Sequence, residues 1–314
     1  MSELIDVAVI GGGPAGLTAA MYAARGQTKT VVFERAIFGG QVVITDRIEN
    51  YPGFPEGVHG SELGELMHKQ AEAQGAQVMQ FVDITGLEQN EDKSFTLKTD
   101  SDTYQARAVI LASGAVPSRL GIPGEEEFTG RGVSWCASCD ANFYKGKDVA
   151  VIGGGDAAVE EANYLTRFAS KVYLIHRRNE FRATAVIVER ARQNTQIEIL
   201  TPYNPIEIKG ADGKVTSIVI ESAEDKSQKE IAVSGIFEYV GVNPQNVLAY
   251  DMVDRDDRGY IIVGENGSTK VDGLFCAGDI VQGPLRQIVT AAATGAIAGN
   301  GAILYLQKFD RTGT

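Results

Sequence analysis

Cysteine is nearly missing from this chain. Its 314 residues hold three, and two of them stand three apart in Trp135-Cys136-Ala137-Ser138-Cys139-Asp140. So few cysteines exclude a disulfide-stapled scaffold. Histidine is equally scarce, at three. Neither His59 nor His68 has a cysteine or a second histidine at ligand spacing, so a zinc reading of the pair lacks its four ligands and no metal is expected. No apolar run reaches the roughly 18 residues of a spanning helix, so no membrane is expected as a partner. Val7-Ala8-Val9-Ile10 is too short for a signal peptide and lacks a basic flank and a cleavage site, which makes the cytoplasm the expected compartment. Positive charge is in deficit, with 29 Lys and Arg against 41 Asp and Glu and a net charge of −12. That balance argues against nucleic acid and anionic membranes. In a reducing compartment a CxxC is more often catalytic or metal-binding than a staple.

What is present begins with a strand. Leu4 to Ile10 is the continuous apolar run of a parallel strand buried on both faces. It enters Gly11-Gly12-Gly13-Pro14-Ala15-Gly16, a G-x-G-x-x-G, then a helical segment from Leu17 to Arg25 and a second strand from Thr30 to Phe33 that ends at Glu34. Gly11 permits the tight turn, Gly13 lets a pyrophosphate approach, and Gly16 lets helix and strand pack closely. Glu34 falls where a carboxylate binds a ribose diol. The alternative, an ordinary glycine-rich turn, does not require strand, helix, strand and acid together. Phe38-Gly39-Gly40-Gln41 is a plain loop or a close approach to a flat ligand. Ser61 to Gln74 reads as an amphipathic helix capped by Ser61. Val78 to Val82, Ser94 to Thr99 and Tyr104 to Leu111 read as an antiparallel insertion.

A second unit follows the CxxC. Asp148 to Gly153 is again a buried strand, running into Gly153-x-Gly155-x-x-Ala158 with Asp156 and Ala157 inside the turn. Its second strand, Lys171 to Ile175, ends in His176-Arg177-Arg178, with Arg182 beyond. An acid there would repel a 2′-phosphate, whereas guanidinium groups bind it, so these residues point to NADPH. The bland alternative is a solvated basic face. Strands are expected at Ile197 to Leu200, Pro205 to Lys209, Val215 to Ile220, Ile231 to Val233 and Ile236 to Val240. Near the end, Leu274 to Asp279 places Gly278 and Asp279 at a strand's C-terminal edge. A small-residue helix follows Arg286-Gln287-Ile288. The expected fold class is α/β, with two Rossmann-like dinucleotide-binding domains, each three-layered (ββα) with added antiparallel strands. One is inserted into the other: 1–114 and 244–314 around 117–241.

Taken in order, Gly11 to Gly16, Gly39-Gly40-Gln41, Glu49-Asn50, Cys136/Cys139 with Asp140, Gly153 to Ala158, His176 to Arg178 with Arg182, and Ala277-Gly278-Asp279 with Arg286-Gln287 resemble the low-molecular-weight, bacterial-type thioredoxin reductases. The resemblance covers nearly the whole chain. It implies a homodimer with FAD on the split domain and NADPH on the inserted one, and Asp279, Arg286 and Gln287 on the flavin side. It also implies electron flow from NADPH through FAD and the Cys136–Cys139 disulfide to thioredoxin. Cys139 is then the flavin-proximal sulfur, Cys136 attacks the substrate, and Asp140 protonates the leaving thiolate, unless it is only a helix-terminal charge. Ala141-Asn142 and Gln282-Gly283-Pro284-Leu285 depart from the family's commonest pattern. Two other readings share these motifs: a relative serving another disulfide protein, such as a peroxiredoxin-linked carrier, and a redox sensor without turnover. Two crossings, Gly114 to Pro117 and Gly241 to Pro244, are expected to act as a hinge.

Overall fold

The computed structural model describes residues 4–45, 48 and 50–312. In chain order the first strands are β1 (Ile5–Ile10), β2 (Thr30–Glu34), β3 (Gln77–Gln80), β4 (Gly86–Gln89), β5 (Phe95–Lys98), β6 (Thr103–Leu111) and β7 (Ala115–Pro117). Next come β8 (Val133–Ser134), β9 (Asp148–Gly153), β10 (Lys171–Ile175), β11 (Ile197–Leu200), β12 (Tyr203–Ala211), β13 (Lys214–Ser222), β14 (Gln228–Ala232) and β15 (Gly235–Tyr239). The last are β16 (Val242–Pro244) and β17 (Leu274–Cys276). The helices are α1 (Pro14–Arg25), α2 (Gly60–Ala73), α3 (Ala137–Asp140), α4 (Asp156–Leu165), α5 (Ala185–Gln193) and α6 (Ile288–Thr312). Contacts divide the chain into two compact units, one running up to Val116 and resuming at Asn243, the other Pro117–Val242. The two crossings, β7 and β16, pair with each other as a two-stranded ribbon.

The first unit is built on a sheet in the order β3-β2-β1-β6-β5-β4, with β17 also paired to β6. Strands β3, β2, β1, β6 and β17 are parallel, and β4, β5 and β6 form an antiparallel meander. Because side chains alternate along a strand, Val7 and Val9 face α1 and α6. Ala8 and Ile10 face a second layer holding Phe95, Leu97, Val253 and Ile261. Burying a residue such as Leu17 contributes roughly 1.5–3 kcal/mol over leaving it exposed. Small residues let α1 and α6 meet closely: a Cβ at Gly295 would lie 2.2 Å from the Ala15 carbonyl oxygen.

The second unit repeats the plan. Its sheet runs β11-β10-β9-β15-β8, all parallel. Val149 and Val151 pack with α4 and α5 residues, while Ala150 and Ile152 face the antiparallel β12-β13-β14 sheet through Ile208, Ile218 and Ile231. The sequence is thus α/β with parallel sheets and added antiparallel strands, as expected.

Several local expectations are corrected. Val78 to Val82 is not part of the antiparallel insertion: β3 pairs parallel with β2, so it extends the main sheet. The strand that completes the meander is β4, at a segment where no strand was expected. Helix α1 starts at Pro14, inside the glycine turn, because proline's fixed φ suits a first helical position. Helix α2 starts at Gly60 with His59 at its N-cap and no side-chain cap, so Ser61 is not the cap. A Cβ at Gly60 would lie 1.9 Å from the Val42 carbonyl oxygen, so a close backbone approach fixes the start instead. Residues Ile288–Lys308 of α6, with mean hydropathy 1.4, are long and apolar enough by length and composition to cross a membrane. Interrupting threonine, glycine and asparagine hid this from a count of unbroken apolar runs. Its Ala291, Ala298, Ala302 and Leu306 lie in the core against α1.

Candidate active site

In the first unit, the turn after β1 is shaped by contacts only glycine allows. Gly11 has φ +107°, and a Cβ on Gly16 would lie 1.8 Å from the Gly11 carbonyl oxygen. Gly13 caps α1 without a side-chain bond, and no acid occupies the first turn. The α1 N–H groups are therefore presented to an anion. A Cβ on Gly13 would find only Gly40 Cα, at 4.0 Å, so the approach stays open. Glu34 is buried at the tip of β2, where its Oε2 accepts from Gly12 N at 2.7 Å and its Oε1 from Ala36 N at 2.8 Å. Each oxygen keeps a lone pair for a ribose hydroxyl.

The other expected residues gather on the same unit. Gly39 N donates to Gly12 O at 2.7 Å, bringing Gly39-Gly40 onto the turn. Gln41 Nε2 donates to Ala115 O. Asn50 Nδ2 donates to Gln287 Oε1 at 2.9 Å, joining two segments far apart in sequence; Glu49 lies outside the described residues. A Cβ on Gly278 would lie 2.7 Å from Ala15 Cβ, which seats the Gly278-Asp279 turn on α1. A cavity of about 230 Å³ is lined by Gly278, Asp279, Gln282, Arg286, Thr290 and Thr294. Burial pushes the Asp279 carboxyl up, and the Arg286 cation opposes that shift. Arg286 lies 3.7 Å over the Tyr260 ring, and its Nε and Nη2 are buried without a hydrogen-bond partner. Ile288 opens α6 and packs beside Val42 and Leu63. Open glycine, uncapped helix and buried donors together fit a flavin dinucleotide.

The second unit carries a matching turn. Gly153 has φ +152°, and a Cβ on Gly155 would meet nothing within 4 Å. Asp156 opens α4, and its Oδ1 accepts from Thr184 N at 2.6 Å; Ala157, beside it, is exposed. His176 is buried, stacked on Phe181 at 5.2 Å between ring centroids, with Nε2 3.2 Å from the Glu180 carbonyl oxygen. Its pKa is lowered, first by burial and further by Arg182, Arg177 and Arg178. Those arginines are exposed, and Arg182 N donates to Gly154 O at 2.7 Å. Three guanidinium groups around one strand tip fit a phosphate monoester.

Cys136 and Cys139 form a disulfide with a Cα separation of 5.3 Å, at the head of α3. Both are half-buried. Cys136 Sγ lies 3.4 Å from Ser138 Oγ. Asp140 stands at the N-cap of the 3-10 turn Ala141–Tyr144 and makes no side-chain capping bond there. Burial and the Asp140 charge push Tyr144 up to about 12. Cys276 is buried in β17 and burial raises its thiol pKa, which makes it inert. Two residues beside the disulfide belong to no sequence motif: Tyr239, whose hydroxyl accepts from Ala137 N at 2.8 Å, and Glu238, buried beside it. The signal was an acid standing inside the apolar run of β15.

Two glycine-turn cradles, each on its own three-layer unit, and a disulfide on the second define a nucleotide-dependent disulfide oxidoreductase. Residues 5–295 match the pyridine nucleotide-disulphide oxidoreductase family, and the chain belongs to it. Within that family it falls among the low-molecular-weight, bacterial-type thioredoxin reductases. It is 46% identical to a thioredoxin reductase of Mycolicibacterium smegmatis over 307 residues, 97% of each chain. Among solved structures it resembles the thioredoxin reductase of Streptococcus pyogenes MGAS5005, with TM-score 0.92 and 40% identity over 98% of this chain and 100% of that one. The thioredoxin reductase of Giardia duodenalis gives TM-score 0.89 and 37% identity over 98% and 100%. Family membership implies a flavin and a nicotinamide nucleotide.

Proposed function

We propose that this chain reduces the disulfide of thioredoxin with electrons from NADPH, through FAD and the Cys136–Cys139 pair. The observation that carries this reading is the half-buried disulfide at the head of α3, in the same unit as the arginine-tipped dinucleotide turn. FAD is held by Gly11 to Gly16, Glu34, the Gly39-Gly40-Gln41 loop, Asn50 and Gly278 to Ile288. NADPH is held by Gly153 to Ala157, His176, Arg177, Arg178 and Arg182. The flavin supplies a two-electron relay between nicotinamide and disulfide. The Cys136 thiolate then attacks a thioredoxin sulfur, forming a mixed disulfide and expelling one thioredoxin thiolate. Cys139 attacks Cys136 in turn, restoring the enzyme disulfide and releasing the second thiolate. Asp140 supplies the proton the leaving thiolate takes.

The enzyme works as a homodimer in the cytoplasm. Support for the dimer comes from α6, which leaves Ile297 44% and Leu304 54% exposed, with Tyr22 of α1 at 42%. That apolar face suits a second copy. The test is NADPH oxidation by the FAD-loaded protein with oxidised thioredoxin, with a peroxiredoxin-linked carrier and with no acceptor. Consumption that follows thioredoxin supports the reading. Consumption that follows only the carrier replaces the substrate, and none with any acceptor leaves a sensor.

A further inference from the structure

Cys136 sits between two residues that β15 holds from opposite sides of the sheet. Tyr239 points to the helix face, where its hydroxyl accepts the Ala137 N–H at 2.8 Å. Glu238, one residue earlier, must point to the other face. There it lies, 2% exposed, against Trp135 and Glu125. Both Glu238 carboxyl oxygens and Trp135 Nε1 are buried without a hydrogen-bond partner. Glu125 is also 2% exposed, and accepts from Leu120 N at 3.0 Å and Gly121 N at 2.6 Å. Arg119 stands over the Trp135 ring, 5.4 Å from its centroid. A buried acid pair beside an indole N–H has no packing purpose that an apolar residue would not serve better.

We propose that Glu238 and Tyr239 are positioning residues for the dithiol, Tyr239 through its bond to Ala137 N–H and Glu238 from the opposite face of the sheet beside Trp135, so that the two flank Cys136. Burial and the Glu125 charge push Glu238 up to about 8, while Trp135 and Arg119 oppose that shift. On the helix face, Glu161 and Asp140 are the charged groups that act on Tyr239. Loss of the Glu238 proton puts a charge beside the Trp135 indole and alters the hold on Cys136.

The inference rests on Cys136 and Cys139 being the redox pair, but its first test does not. Trp135 is the sole tryptophan. Its fluorescence in the oxidised holoenzyme is expected to titrate with a midpoint near the value of about 8 set by Glu238. Glu238→Gln should abolish that titration, Glu125→Gln should move it to lower pH, and Tyr239→Phe should leave it in place. The second test is turnover. Tyr239→Phe, stripped of one hydrogen bond on Ala137, should slow thioredoxin reduction roughly five- to tenfold with NADPH-to-flavin reduction unchanged. A titration that survives Glu238→Gln, or full turnover in Tyr239→Phe, overturns the proposal. If Tyr239→Phe loses its fold, the tryptophan titration alone decides. Failure of Cys136→Ser to stop turnover would instead remove the redox assignment.

Discussion

The two glycine turns are built alike and finished differently. In each, the middle glycine lies under the side chain at the tip of the next strand. A Cβ on Gly12 would stand 2.9 Å from Glu34 Cβ, and one on Gly154 would stand 2.2 Å from His176 Cε1. In each, that glycine's carbonyl accepts a backbone N–H at 2.7 Å from a later loop, Gly39 in one and Arg182 in the other. The frame is therefore shared, and the tip residue with its loop decides what binds. An anchored carboxylate and a bare glycine pair suit a ribose diol, whereas a neutral imidazole among three guanidinium groups suits a phosphate. A further difference is that only the second unit carries the dithiol.

That last contrast makes the largest prediction. Cys136→Ser and Cys139→Ser should each bring thioredoxin reduction to background, while stopped-flow reduction of the flavin by NADPH stays intact. Loss of flavin reduction as well would mean that the units do not divide the work. Next comes the phosphate tip. Replacing Arg177, Arg178 and Arg182 by alanine should raise the KM for NADPH by about a hundredfold or more and barely change that for NADH, at about 1.5–3 kcal/mol for each charge-assisted bond. Equal losses for both coenzymes would refute the assignment. On the carboxylate side, Glu34→Gln should weaken FAD retention about tenfold, because an amide NH2 group would face the Ala36 N–H or the Gly12 N–H. Titrating apoenzyme with FAD measures it, and the KM for NADPH should not move.

The last prediction concerns stability in the second unit. Glu238 is raised from its ordinary 4.5 to about 8, so the native state binds more protons than the unfolded chain between those values. Stability should therefore fall as pH rises through that window. Denaturant unfolding of Glu238→Gln across the same window should show a shallower fall. An unchanged slope would show that Glu238 is not the group responsible.

Much of this was legible because parallel strands buried on both faces write themselves as unbroken apolar runs. β1 and β2 were placed within about a residue for that reason. Glycine turns were legible because their chemistry is local. What failed was pairing: nothing in Val78 to Val82 tells whether its neighbour runs parallel, and β4, Gly86-Leu87-Glu88-Gln89, buries only Leu87 and so shows no alternation. Ser61 looked like a cap because the backbone contact that starts α2 comes from Val42 and Thr45, outside the local pattern. Tyr239 and Glu238 were missed because their partners lie about a hundred residues away, and only the register of β15 beside β9 and β8 brings them to the cysteines.

The pairing of β17 with β6 also orders events during synthesis. β6 offers one edge to two partners: Thr103–Ala106 takes β5, and Val109–Leu111 takes β17. The nascent chain meets the first at once, but the second only after the whole segment 117–242 has left the ribosome. Through that interval a short apolar strand edge, Val109-Ile110-Leu111, stays unpaired, and the α1 face that α6 will cover stays bare. Such an edge is a template for pairing with another chain. The inserted segment, continuous in sequence and with its ends joined through the β7–β16 ribbon, has all its own strands in hand first. The last piece made closes the first piece begun, so a chain cut short before Cys276 has one finished unit and a six-stranded sheet with an open edge.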